Sequence, residues 1–410
     1  MRRRLPPALR LREFALLWTA ILTMRFAAAM VDVAVGWQVY AIHKRPLDLG
    51  LVGLAEFVPL PLLALPAGQL SDRFPRRRIA VIAATLHATI VALLLVVTFA
   101  GARALWPFLA LAATAGIATV IGSPALNALT PEIVPTEMLA GAVALRSVAG
   151  QTAVVSGPAI GGLLFAVRPQ LTYIVALSLL VCAVAAMLSL QHRPAVATDR
   201  SPGFGELVAG VRFIARTRIL LGAISLDLFA VLFGGAVALL PVYARTILDV
   251  GPVGLGVLRT APAAGALVAA VILARRPLRY PAGPTLLVVV AAFGASVVVF
   301  GLSKWFPLSL AALAVSGFVD MISVNIRSTA AALVTPNELR GRVLAVEWVF
   351  ISASNELGAF ESGVVASLIG TVTAVVAGGA ATIGIALSWT RLFPSLARMG
   401  RLEDLRPEPV

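Results

Sequence analysis

Gly68-Gln69-Leu70-Ser71-Asp72-Arg73-Phe74-Pro75-Arg76-Arg77-Arg78 is a short, polar, strongly basic turn clamped between two long apolar runs, residues 49–70 and 79–100. A connection this short folds two membrane-length segments into an antiparallel hairpin. Four arginines within residues 73–78 assign that turn to the cytoplasmic side, where Lys and Arg accumulate in membrane proteins.

Composition extends the reading to the whole chain. Its 410 residues are 60% hydrophobic and only 13% charged, too little polar surface to cover a soluble core of that size. The net charge of +14 does not point to nucleic acid, because the arginines fall at the ends of apolar runs rather than along one amphipathic face. One cysteine, Cys182, excludes an intramolecular disulfide. The basic start Met1-Arg2-Arg3-Arg4 resembles a signal peptide, but the apolar run behind it is too long. That run also carries Arg25 and Asp32 with no cleavage site, so it reads as a retained first span.

Twelve apolar segments can be drawn: 14–41, 49–70, 79–101, 106–129, 140–167, 170–190, 218–246, 251–274, 284–302, 306–331, 342–368 and 370–390. Each is long enough for a helix to cross a core of about 30 Å, and none alternates with the period of a barrel strand. The fold class expected is an all-α integral membrane protein of twelve transmembrane helices in two pseudo-symmetric six-helix halves. Pro59, Pro61, Pro66, Pro158 and Pro262 predict kinks within spans. With the N-terminus inside, one side collects 23 basic residues and the other six, which leaves both termini cytoplasmic.

The domains expected are residues 1–190, a linker at 191–217, residues 218–392, and a tail at 393–410. Within the linker, residues 205–216 have an amphipathic pattern that suits a helix lying along the membrane surface. The two halves share a repeat. Pro135-Thr136-Glu137-Met138 before span five matches Pro336-Asn337-Glu338-Leu339 before span eleven, and parallel repeats of this kind predict a transporter with a mid-depth site between its halves.

Ionisable residues inside spans are costly and mark functional positions. Arg25 and Asp32 in span one are seven residues apart and share a helix face. Two readings stand: a protonatable carboxylate beside a cation, or a charge pair holding span one to its neighbours. Asp320 and Arg327 repeat the spacing in span ten, where Arg327 near the cytoplasmic end has snorkelling as its simpler explanation. In span eleven, Glu347 and Glu361 share a face while Asn355 and Glu356 point elsewhere. Glu347 reads as a gate-side ion pair with Arg340 and Arg342. Glu56, Arg146, Asp227 and Arg259 complete the set. His87 reads as packing, and Trp37, Tyr40 and Trp305 as an interfacial belt. No metal cluster, phosphate loop or nucleophile–base order is visible, so no cofactor and no enzyme activity are expected.

The pattern Gly-x-x-x-Asp-Arg-x-x-Arg-Arg beginning at Gly68 resembles the loop signature of the major facilitator superfamily, with Pro75 where that family usually has glycine. Gly157-Pro158-Ala159-Ile160-Gly161-Gly162 in span five resembles the motif of its drug:proton antiporters, and residues 317–363 resemble the enterobactin-exporter-like branch. The resemblance implies a gating set of Gly68, Asp72, Arg73, Arg76, Arg77 and Arg342, with Asp72 capping the start of span eleven at Gly341-Arg342. It further implies that Gly157, Pro158, Gly161 and Gly162 let span five bend and pack closely against the opposite half. A coupling cavity is expected from Arg25, Asp32, Asp320, Arg327, Asn355, Glu356 and Glu361. Span four lacks the intramembrane arginine common in these antiporters, and Arg146 is a candidate to replace it.

The function expected is proton-coupled export of small amphipathic molecules such as drugs or a siderophore, by rocker-switch alternating access in the bacterial inner membrane. The partners are then a small solute, protons and lipid, with the chain monomeric and no nucleic acid bound. An importer or facilitator on the same fold, or a non-transporting receptor or assembly factor, are the rivals. Reporter fusions check the orientation: green fluorescent protein should fluoresce when attached at either terminus, and alkaline phosphatase should be active only in loops such as 44–45 and 303–305.

Overall fold

The computed structural model describes residues 6–191, 204–276 and 278–406. Among them are twelve helices long and apolar enough to cross a membrane, and no strand. The first span is α1 (Arg12–His43), and the second is divided into α2 (Pro46–Phe57) and α3 (Pro59–Arg73). Pro59 has no N–H to give, so the helical ladder is interrupted where the prolines predict. Spans three to six are α4 (Arg76–Phe99), α5 (Trp106–Ile133), α6 (Thr136–Val167) and α7 (Pro169–Leu188).

After the linker helix α8 (Phe204–Arg216), the seventh span starts as α9 (Arg218–Phe233). It then breaks at Gly234-Gly235, where sequence periodicity gives one continuous segment. A 3₁₀ turn (Ala236–Leu239), the short α10 (Leu240–Val242) and a π turn (Tyr243–Ile247) complete the crossing. Two consecutive glycines weaken the ladder, and Pro241 removes another donor. Spans eight to twelve are α11 (Gly251–Arg275), α12 (Ala282–Leu302), α13 (Phe306–Val334), α14 (Asn337–Ile369) and α15 (Thr371–Leu392), followed by α16 (Pro394–Ala397).

The quoted basic stretch is mostly helix. Residues 68–73 belong to α3 and 76–78 to α4, so the connection shrinks to Phe74-Pro75. The repeated proline motifs also start helices earlier than hydrophobicity alone suggests. Pro135 precedes α6 with φ −55° and ψ 147°, and Pro336 precedes α14 with φ −55° and ψ 149°. A proline fixes φ and needs no hydrogen bond at this point, which makes it a natural first residue. Gly341-Arg342 consequently lies in the second turn of α14, which starts at Asn337. The surroundings of Gly68 and the side chain of Asp72 lie outside the described residues.

The chain divides into two compact units: residues 1–44, 52–201 and 250–260 in one, and 45–51, 202–249 and 261–410 in the other. In the first, Leu17, Ala20 and Ile21 of α1 pack with Ala80, Leu129, Ala183 and Met187. Arg76 is ion-paired with Glu132, and Arg77 donates to the carbonyls of Met187 (3.1 Å) and Leu188, tying α4 to α5 and α7. Arg73 is exposed.

In the second unit, Leu226 and Ala230 pack with Leu286, Val290, Ile326, Ala330, Trp389 and Leu396. A second cluster joins Phe213 and Ile214 of α8 to Leu220, Ile224, Ala331, Val334, Val343 and Val346. Phe213 and Ile214 at the end of α8 are thus buried in protein, while Val211 of the same helix is exposed. Tyr40 is likewise buried, at 4% exposure, instead of standing in an interfacial belt, whereas Trp305 is exposed.

Helix packing in lipid depends on close approach, since apolar side chains gain little by leaving lipid for one another. Gly317 of α13 lies on the Pro262 turn of α11, and a Cβ there would collide with the Pro262 backbone. Gly265 meets Ala314 in the same crossing. Gly317→Leu should destabilise the second unit by about 1–3 kcal/mol or more, seen as loss of the monodisperse peak in fluorescence-detected size-exclusion chromatography. Ala312→Leu is not a suitable control because it is also buried; exposed Val315→Leu is, and should behave as wild type.

Candidate charge sites of the two units

In the first unit, Asp32 is exposed on α1, and its electrostatic partner is Arg259 of α11. Arg25 does not serve that role. Seven helical residues separate it from Asp32 by about 10.5 Å along the axis, and its charge instead acts on Arg146. Arg146 of α6 donates to Thr130 Oγ1 (2.5 Å) and Asn127 Oδ1 (2.7 Å) of α5. A guanidinium from span five is thus held against span four, the span without an arginine of its own.

Gly157, Pro158, Gly161 and Gly162 of the span-five motif are buried, whereas Ile160 is exposed. Gly157 faces Ala29, and Gly161 faces the Met30 backbone, where a Cβ would come within 2.8 Å of Cα. Gly162 and Pro158 face Pro252 and Gly256 of α11. Despite Pro158, α6 runs unbroken from Thr136 to Val167. Nearer the other end of α1, Tyr173 Oη donates to Gln38 Oε1 (2.8 Å), and Thr98 shares the same amide at 3.2 Å.

The second unit holds the stronger charge site. Arg327 Nη1 lies 2.6 Å from Asp227 Oδ2, with side-chain exposures of 4% and 8%. Snorkelling is therefore not the explanation of Arg327: α9 supplies it with a buried counter-ion. Asp227 and Asp320 line a small cavity with Ser323, Phe293, Ala230, Val231, Val289 and Val290, large enough for about one water molecule. Glu347 is 6% exposed and interacts electrostatically with Arg327 and Asp227. It is not the gate-side partner of Arg340 and Arg342 that its position suggests.

The remaining span-eleven candidates do not join this group. Asn355 Nδ2 donates to Ile351 O of its own helix at 2.9 Å. Glu356 is half-buried and engaged elsewhere. Glu361 accepts a weak bond from Ser362 Oγ at 3.5 Å, and that hydroxyl faces the span-seven break at Gly235. Asp227 and Arg259 escaped selection because neither has an oppositely charged residue at helical spacing within its own span; only the fold supplies their partners.

A twelve-helix bundle with ionisable groups between its spans defines a membrane transporter of the major facilitator type. Residues 5–403 match the family described as transmembrane secretion effector, and the chain belongs to that family. It is 27% identical over 363 residues to the multidrug efflux pump Tap of Mycolicibacterium fortuitum, covering 86% of this chain and 88% of the relative. It is 25% identical over 394 residues to the enterobactin exporter EntS of Shigella boydii, covering 95% and 92%. Among solved folds, a bacterial homolog of the human lysosomal transporter Spinster, inward-facing and unoccupied, aligns with TM-score 0.74 over 97% of this chain and 99% of its own, at 15% identity. These relatives are efflux proteins and transporters, not enzymes.

Removing one member of a buried ion pair leaves an uncompensated charge. Arg327→Gln should therefore cost about 3–5 kcal/mol, whereas Arg259→Gln, opposite exposed Asp32, should cost less than about 1 kcal/mol. Thermal unfolding of the two detergent-solubilised variants, followed by tryptophan fluorescence, checks the order.

Proposed function

We propose that this protein is a proton-coupled exporter of small amphipathic molecules, working by alternating access in the bacterial cytoplasmic membrane with both termini cytoplasmic and as a monomer. The observation that carries the reading is Asp320, a carboxylate on a membrane-spanning helix, facing a water-sized cavity beside the Asp227–Arg327 pair. A group so placed exchanges protons with water at a depth where retaining a fixed charge is costly. Asp32, within the electrostatic reach of the α11 cation Arg259, is the second coupling carboxylate. Protonation at either position weakens solute binding and allows return of the empty carrier.

The energetics are sufficient. One proton moving through about 100 mV releases about 2.3 kcal/mol, and one pH unit adds about 1.4 kcal/mol. Together these support roughly 500-fold accumulation of a neutral solute. The resemblance to a multidrug pump and a siderophore exporter supports export over import and an amphipathic cargo. Arg73, Arg76, Arg77 and Arg342 are assigned to the cytoplasmic gate, with Arg76 and Arg77 anchoring α4 so that the turn moves as one piece.

Everted membrane vesicles test this reading with ethidium as the probe. Wild-type vesicles energised by respiration should show ethidium-dependent release of the pH gradient, followed by acridine-dye fluorescence. Asp320→Asn and Asp32→Asn should each reduce that response at least tenfold at unchanged protein level. A wild-type response equal to that of vesicles lacking the protein, across ethidium and a panel of amphipathic compounds, refutes it.

A further inference from the structure

The cluster around Arg327 contains more carboxylates than the single pair requires. Asp227 follows Ile224 by one turn on α9, Glu347 follows Val343 by one turn on α14, and Arg327 precedes Ala331 by one turn on α13. Ile224, Val343 and Ala331 belong to one apolar cluster. Since α9 and α14 are odd-numbered spans and α13 an even one, the three charged residues lie in one layer on the same side of that cluster. Asp320 stands two turns beyond it and shares the cavity with Asp227. One guanidinium thus serves a layer with two buried carboxylates, and only Asp227 holds it, at 2.6 Å. Arg327 Nε is buried and has no hydrogen-bond acceptor.

We propose that Arg327 has two alternative carboxylate partners, Asp227 and Glu347, and that exchange between them passes a proton through this layer. The inference rests on the proton-coupled reading of the protein. In one state Asp227 is ionised on Arg327 and Glu347 carries the proton. In the other, Asp227 takes a proton relayed from the outside through water in the Asp320 cavity, Glu347 gives its own to water entering from the cytoplasmic side, and Arg327 moves to Glu347. On return, the Asp227 proton passes to Glu347 as Arg327 goes back to Asp227. One proton enters and one leaves per cycle, and the guanidinium stays charged throughout.

The surroundings offer Arg327 two carboxylate partners and bring no second cation into the layer. On α13 the facing groups are Arg327 and Asp320, and on α9 Asp227, with Arg218 at its far end. On α14 they are Glu347, with exposed Arg340 and half-buried Arg342 more than a turn away toward the cytoplasmic end. The sequence of α12 has no charged residue, and α15 carries only exposed Arg391. From α8 come exposed Arg212 and Arg216.

Variants of the full-length chain test the exchange without a known cargo. D227N should remain folded because Glu347 takes over Arg327, while D227N/E347Q should be lost from the membrane fraction at least tenfold. Equal loss of D227N and the double variant overturns the proposal. So does retention of D227N/E347Q combined with loss of D227N/D320N, which would make Asp320 the second partner. Infrared spectra of protein in nanodiscs add a direct readout. The protonated carboxyl band that E347Q removes from wild type should also be absent from D227N, where Glu347 is ionised on Arg327. If that band persists in D227N, the exchange does not occur. Should wild type move no ethidium against an imposed pH gradient while the band still vanishes in D227N, the exporter reading fails and the partner exchange stands.

Discussion

A charge at lipid depth has to be met by a counter-ion, a dipole or water, and this requirement organises the protein more than any apolar contact. Surrounding lipid is as apolar as leucine, so burial alone does little to choose between helix arrangements. The Asp227–Arg327 pair does choose: only one placement of α9 against α13 brings a carboxylate within 2.6 Å of a guanidinium. Arg146 performs the same service between α5 and α6 through Thr130 and Asn127. At one end of the first unit, Arg76 and Arg77 fasten α4 to α5 and α7 through Glu132 and the last carbonyls of α7.

Glycine and proline set where these contacts form. Gly157, Gly161 and Gly162 let α6 approach α1 on one side and the start of α11 on the other, and Gly317 with Gly265 do so for α13 and α11. At Gly161, Gly162, Gly265 and Gly317 the neighbouring backbone occupies the space a side chain would need, and at Gly157 the Ala29 methyl does. The break at Gly234-Gly235 belongs to the same vocabulary. It frees backbone groups within a membrane span, a feature tolerated where protein rather than lipid surrounds them, and Gly358 and Ser362 of α14 lie against it.

The twelve crossings were legible in the sequence because span length and the positions of the arginines are one-dimensional signals. So was the repeated proline–acid motif, whose two copies start α6 and α14 with nearly the same backbone angles. Pairings were not legible. Spacing of seven linked Arg25 to Asp32 and Arg327 to Asp320, yet Asp32 interacts with Arg259 and Arg327 is ion-paired with Asp227, both on other helices. Helical periodicity states which residues share a face but not which helix that face meets. For the same reason the amphipathic pattern of α8 did not tell that Phe213 and Ile214 join a protein core. The span-seven break was missed because hydrophobicity continues unchanged through residues 234–242.

The polypeptide beyond the twelfth span bears on biogenesis. Leu396 and Met399 lie in the main core of the second unit, with Leu402 and Leu405 packed against it. The carbonyls of Met399 and Gly400 accept hydrogen bonds from Gly283 and Ala282 at the start of α12, at 3.1 and 2.7 Å. A segment synthesised after every helix has been threaded thus supplies the closing pieces of a core begun at α9. The core of the second unit is therefore complete only once the residues after its last membrane-length helix have packed against it.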